Sequence, residues 1–235
     1  MPRAIALETS ARSGSVALVN DDGTVLAEQQ SPQDLKHAAA LISILDNLTK
    51  RHAWSPRDIR EIYVSAGPGS FTGLRVGITA AKTLALALDA RIVAVPTTDV
   101  LARNAPPDAR NIVIVLDAKR GQIFTARYTR QGGEAGGVTN DEPAHLDTLA
   151  AILARSPRPM HLLGEGIPHH RQAIPTDDPQ ILITPEETWR PRAAVVAHLG
   201  HALARAGHFT DPDRLTPIYL RRPEAEEKWE QLGRA

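Results

Sequence analysis

Residues 65 to 86 read SAGPGSFTGLRVGITAAKTLAL, and the opening of this stretch gathers Gly67, Gly69, Ser70, Thr72 and Arg75. A glycine loop between a strand and a helix leaves backbone N–H groups at the positive end of the helix, where a phosphate can be held. Ser70 or Thr72 would donate to such an anion and Arg75 would add charge. The spacing is neither GxxxxGKS/T nor GxGxxG, and no lysine stands where the first of these requires one. The same residues serve equally as a tight turn and helix cap, with Gly67 and Gly69 present for backbone freedom.

Other chemistry is thinner. Glu8 and Asp117 each end an expected strand, the position from which paired acids handle Mg²⁺ and a nucleophile in phosphoryl transfer. The loop after Glu8, Thr9-Ser10-Ala11-Arg12-Ser13-Gly14, lacks a close glycine, so both acids also fit as solvated strand ends. His37 faces Leu41 rather than a second histidine, His198 and His201 stand three apart, and His169 and His170 are adjacent. No third ligand has convincing spacing, so no metal site is expected. Ser70 is not in a GxSxG elbow and reads as a cap.

These residues must be positioned by alternating strands and helices. Strands are expected at 4–8, 15–19 and 24–28, the last two joined by the turn Asn20-Asp21-Asp22-Gly23. A helix follows from Ser31 as N-cap, with Pro32 at N1 and Asp34 in the first turn, to about Arg51. Its apolar residues form two sets, Leu35, Ile42 and Leu45 on one side and Leu41, Ile44 and Leu48 on the other. Lys36, Ser43, Asn47 and Lys50 fill a narrow polar sector. That arc is about twice the roughly 100° of a surface helix, so two neighbours are expected.

A strand at 62–65 feeds the glycine loop, and the helix at about 73–89 spaces Gly73, Gly77 and Ala81 four apart with Ala80 alongside. A strand at 91–95 closes the first unit. The second unit runs through strands at 112–116 and 122–128, an exposed loop at 131–143, a helix near 146–155, strands near 160–163 and 181–184, and a helix at 192–206 ended by Gly207. It looks like a reduced copy of the first. The chain leaves through a strand in TPIYLRRPEAEEKW and a charged tail. The fold class is α/β in two lobes, 1–105 and a smaller 106–220, with a tail at 221–235.

Of 235 residues, 27 are basic and 27 acidic, so net charge draws the chain neither to nucleic acid nor to anionic membrane. There is no cysteine, which excludes disulfide and thiolate chemistry and agrees with a reducing compartment. No apolar run of spanning length and no leader is apparent, so the cytoplasm and no membrane partner are expected.

GPGSFTGLRVG (67–77) resembles the glycine motif of the TsaB (YeaZ) family. IALETS (5–10), LDAKRGQIF (116–124) and PIYLR (217–221) ahead of Lys228-Trp229 agree with that family in order and spacing. Glu8 departs from its usual aspartate, and Gln122 stands where an acid is common.

The resemblance implies a two-lobed actin/Hsp70/sugar-kinase-like (ASKHA) fold and a non-catalytic role. The chain would be an accessory subunit of the machinery that transfers threonylcarbamoyl to N6 of adenosine 37 in tRNAs reading ANN codons. It implies a heterodimer with the catalytic paralogue TsaD, association with the ATPase TsaE, a homodimer when alone, and tRNA reached only through the complex. It also implies that the first two helices form the partner surface, which assigns Leu41, Ile44, Leu48, Gly73, Gly77, Ala80 and Ala81 to it. No cofactor is expected on this chain alone; ATP or ADP at the junction with the partner is the secondary expectation. A phosphotransferase of the same fold and a metallopeptidase-like protein are the alternatives.

Overall fold

Ala4-Ile5-Ala6-Leu7 has no polar face, a pattern that suits a strand covered on both sides. The computed structural model describes residues 3–31, 37–131 and 137–221. It places this run in β1 (Arg3–Glu8), the middle strand of a five-stranded sheet. β2 (Ser15–Val19) and β3 (Val25–Gln30) complete an antiparallel meander through the Asn20–Thr24 turn, where Gly23 takes a φ of +89°. After helix α1 (His37–Arg51), β4 (Ile59–Gly67) pairs parallel with β1. After helix α2 (Phe71–Leu88), β5 (Arg91–Pro96) pairs parallel with β4. The order is β3-β2-β1-β4-β5.

The second sheet repeats this plan. β6 (Asn111–Ile114) and the short β7 (Leu116–Asp117) pair antiparallel with β8 (Ile123–Arg130), which pairs with β9 (Val138–Asp147). Beyond helix α4 (Leu149–Arg155), β10 (Met160–Leu163) lies parallel to β6, and β11 (Ile181–Ile183) lies parallel to β10. Read as β9-β8-β6-β10-β11, it matches the first sheet strand for strand. That duplication is the expected two-lobed ASKHA architecture.

Two further helices lie between the sheets. Helix α3 (Thr97–Asn104) buries Leu101 and Ala102 against Ile112, Ile114 and Tyr128 of the second sheet. Helix α6 (Ala193–Arg205) buries Ala193, Val196 and Ala197 against Ala4, Ala6, Tyr63 and Val93 of the first. The final helix of each unit thus packs on the other unit's sheet, and α6, placed by sequence position in the second lobe, supplies core to the first. Helices α1 and α2 cover the opposite face of the first sheet.

Several expectations change. The segment 131–143 is not a loop throughout, since β9 occupies its second half; its polar residues are accommodated because β9 pairs on one side only. α3 and the one-turn α5 (Ile167–His170) were not expected. Ser31 Oγ accepts from Gly14 N (2.9 Å), and the residues it was expected to cap, 32–36, lie outside the described residues. Residues 216–220 form no strand, and only Ile218 N bonds to Ala66 O (2.7 Å). Pro32, Asp34, Leu35, Lys36, the side chain of His37 and the tail from 222, including Lys228 and Trp229, lie outside the described residues. By length and composition, the 18-residue α2 is apolar enough to cross a bilayer, contrary to the sequence expectation, yet one face of it is built into the first core.

Candidate functional site

The glycine loop owes its composition to a close approach within the chain. Ser70 caps α2, its Oγ accepting from Gly73 N (3.2 Å), while Ser70 N donates to Ser10 O (2.7 Å). A Cβ on Gly69 would collide with the Ser10 carbonyl, and one on Gly73 with the Thr9 carbonyl. The β1–β2 loop therefore rests directly on the first turns of α2, and its carbonyl oxygens occupy the corner where an anion would need donors. Gly67, with φ of +106°, is turned away from the cleft; its N donates to Thr97 Oγ1 (3.2 Å). Thr72 is exposed and does not line the cleft. Of the five phosphate candidates, Gly69, Ser70 and Arg75 do.

That cleft, about 740 Å³, lies between the lobes. At its mouth Arg75 stacks 4.0 Å above the Phe71 ring and donates from Nε to Tyr219 OH (3.1 Å). The Phe71 and Tyr219 rings are 5.2 Å apart. Arg221 donates to Ala118 O and to Gln122 Oε1, so residues 218–221 strap the two lobes together. Gln122 takes part through its side-chain carbonyl.

The two acids sit in different surroundings. Glu8 is wholly buried and does not line the cleft; Ser10 donates to its Oε1 from both N (2.5 Å) and Oγ (2.6 Å), while Oε2 has no hydrogen-bond partner among the described residues. Burial pushes its carboxyl up to about 7, against the lowering effect of the Ser10 bonds. Asp117 lines the cleft and meets Lys119 Nζ (2.9 Å) and His170 Nε2 (3.3 Å). Burial raises its pKa, but these bonds outweigh that and hold it below the usual aspartate value. Among the described residues no three His, Asp or Glu side chains come together to hold an ion.

A second concavity, about 420 Å³, runs between α1 and α2 and is lined by Leu41, Ile42, Arg75, Val76, Thr79, Ala80, Thr83 and Leu84. Here the assigned partner residues need correction. Leu41, Ile44 and Leu48 are 4%, 5% and 3% exposed and pack, with Leu45, on the chain's own first sheet. Their i, i+3, i+4, i+7 spacing makes an ordinary single stripe. Gly73 and Gly77 face Thr9 rather than a partner helix, and Ala81 is fully buried. Of the seven residues, Ala80 and the edge of Leu41 reach the groove. Away from Phe71 at the cleft, the exposed large apolar residues described on these two helices are instead Ile42, at 50%, and Leu86, at 89%, with Val76, Leu84 and Leu88 half-buried. Sequence reasoning missed these, although α2 carries only Arg75 and Lys82 as charges over 18 residues and relies on Thr72, Thr79 and Thr83 for the rest of its polar surface.

The chain matches the family model of TsaD, tRNA N6-adenosine threonylcarbamoyltransferase, over residues 24–229. It is 34% identical to the tRNA threonylcarbamoyladenosine biosynthesis protein TsaB of Bacillus subtilis (strain 168), covering 96% of both chains. It is 27% identical to the protein of the same name from Escherichia coli (strain K12), covering 98% of both. The solved structure of YeaZ from Pseudomonas aeruginosa superposes with a TM-score of 0.75 at 22% identity, over 94% of this chain and all of the other, and shares its fold.

Proposed function

The chain belongs to the TsaD family, alongside the TsaB proteins, and on that premise we propose that it serves tRNA threonylcarbamoyladenosine biosynthesis as a partner-binding subunit without a reaction centre of its own. The carrying observation is the outer face of α2, where half-buried Val76, Ala80 and Leu84 line a groove beside Ile42 of α1 and Leu86 stands in solvent. α2 turns Thr72, Arg75, Thr79 and Thr83 to solvent, but the strip between them and its buried face, Val76, Ala80 and Leu84, is only half covered by the chain itself. In this fold the sheet covers one side, leaving a groove shaped to receive helices of a second polypeptide.

The partner proposed is TsaD, with TsaE joining the pair, and a second copy of this chain takes the same face when TsaD is absent. The filled corner at Gly69 and Gly73 supports the non-catalytic reading, since a phosphate there would have to displace the carbonyls of Ser10 and Thr9. The same packing does not suit the phosphates of ATP or ADP, so a nucleotide at the junction would be held by the partner's groups. It also weighs against a phosphotransferase.

Co-expression of the chain with TsaD from its own organism, followed by affinity capture, tests the reading. Wild type is expected to retain TsaD in stoichiometric amount, and Ile42→Glu with Leu84→Glu to lose it while remaining folded. Capture of TsaD by the double variant would overturn the assigned face.

A further inference from the structure

Where α3 meets the second sheet, the chain carries a group of cations that the partner surface does not use. The β6–β8 register pairs Asn111 with Thr129, which sets Arg110 across from Arg130, and Arg130 N donates to Arg110 O (2.8 Å). Arg103 projects from the last turn of α3 close enough to act on Arg130, whose guanidinium is pushed down first by burial and then by the Arg103 charge. Arg103 and Arg110 are exposed; Arg130 is half-buried, donating from one terminal nitrogen to Ala105 O (3.1 Å) while its Nε is buried without an acceptor.

Among the described residues none of the three forms an ion pair, whereas many arginines elsewhere are matched: Arg91 and Arg205 to Glu61, Arg155 to Glu142, Arg192 to Glu28. The nearby acids do not relieve them. Asp99 accepts from Tyr128 OH (2.6 Å), and Asp108, in the loop between Arg103 and Arg110, pairs with none of the three. Like charges directly across two strands are unfavourable, so the fold holds this group together against repulsion.

We infer that Arg103, Arg110 and Arg130 form a contact surface for the phosphate backbone of RNA. Guanidinium forks donate to phosphate oxygens in pairs, and an external anion would remove the repulsion that the chain leaves in place. The group offers charge and no exposed ring for stacking, so the contact reads backbone rather than base. The zero net charge of the whole chain makes the attraction local. Three phosphate contacts correspond to a salt slope of roughly −2 to −3 in log K against log salt. With the role proposed above, on which the identity of the RNA rests, that RNA is tRNA. The patch lies at the start of β6, the end remote from the cleft residue Asp117.

The test is a fluorescence-anisotropy titration of an unmodified tRNA transcript. It uses the TsaD-bound complex and the chain alone, wild type against Arg103→Gln with Arg110→Gln, at several KCl concentrations between 50 and 200 mM. Both residues are exposed, and thermal unfolding of the variant checks the fold. The expected result is affinity lower by roughly 30-fold near 0.1 M salt and a slope shallower by about 1.5, with TsaD capture unchanged. Unchanged affinity and slope in an intact complex would overturn the proposal. Loss of TsaD in place of RNA would also overturn it, by showing that the patch docks an acidic protein face. If TsaD does not bind the wild type at all, the functional reading fails, while the titration of the chain alone still decides the patch.

Discussion

Glu8 shows how a carboxyl can be structural and still respond to pH. Its pKa is raised by burial from 4.5 to about 7, so the folded chain binds a proton that the unfolded chain has released between those values. Stability from this group is therefore full below about pH 4.5, falls as pH rises toward 7, and is flat above. The shift corresponds to about 3 kcal/mol. Glu8→Gln keeps an acceptor for Ser10 and cannot ionise. Its unfolding free energy relative to wild type is expected to increase by about 3 kcal/mol from pH 4.5 to 8; parallel curves across that range would show that Glu8 does not titrate as described. A neighbouring contrast concerns the glycines. Gly73→Ala drives a methyl into the Thr9 carbonyl, which the β1–β2 loop holds fixed, and should cost about 3 kcal/mol, or roughly 6–12 °C in Tm. Gly77→Ala meets the Thr9 hydroxyl, a side-chain atom with no hydrogen bond to lose, and gains helix propensity of about 1 kcal/mol. Its Tm should stay well above that of the Gly73 variant, and equal losses would refute the difference.

At the scale of elements, the helices explain both what was legible and what was not. Hydrophobic spacing placed β1, β2, β10, α2 and α6 to within a few residues, because each buries a regular pattern. It failed for β9, whose Asn140, Asp141 and Glu142 are poor strand formers and are held by pairing with β8. It failed for α3, eight residues long behind Pro96 and without a side-chain cap bond. For α1 it gave the right residues and the wrong direction: periodicity says that Leu41, Ile44 and Leu48 share a face, but not whether that face meets the chain's own sheet. The Gly73–Gly77 spacing was equally visible, and its partner, the Thr9 segment 64 residues or more earlier, was not. Only Ile42 and the outer residues of α2 remain available for association. Leu86→Ser should accordingly leave Tm within about 1 °C of wild type, since nothing in the chain covers Leu86, yet weaken self-association measured by analytical ultracentrifugation. A drop of several degrees with unchanged association would place Leu86 in the core of the fold instead.

For the whole molecule, the exchange of final helices makes the lobes interdependent. The first N–H groups of α6 are satisfied by the first sheet: Ala193 N donates to Ser15 Oγ (2.8 Å) and Ala194 N to Glu28 Oε1 (3.0 Å). Further along, Gly200 lies flat against the Tyr63 ring, where a Cβ would not fit, and Arg205 reaches buried Glu61 (3.3 Å) beside Arg91 (2.6 Å) and Tyr63 OH (2.5 Å). Removing α6 would uncover Ala4, Ala6, Tyr63 and Val93 and strip Glu61 of one counter-charge. Removing α3 would do the same to Ile112, Ile114 and Tyr128. Leaving a buried charge short of a partner is among the costlier changes a core can suffer. Neither half of the chain, cut in the loop at 105–106, should then fold alone, and the intact protein should unfold in one step with coincident near- and far-ultraviolet circular dichroism transitions. Mixed in equal amounts, the halves 1–105 and 106–235 should regain native spectra, because the second supplies α6 to the first sheet and the first supplies α3 to the second. A stable, cooperatively unfolding 1–105 fragment would show that the lobe can close its core without α6, and the interdependence would have to be abandoned.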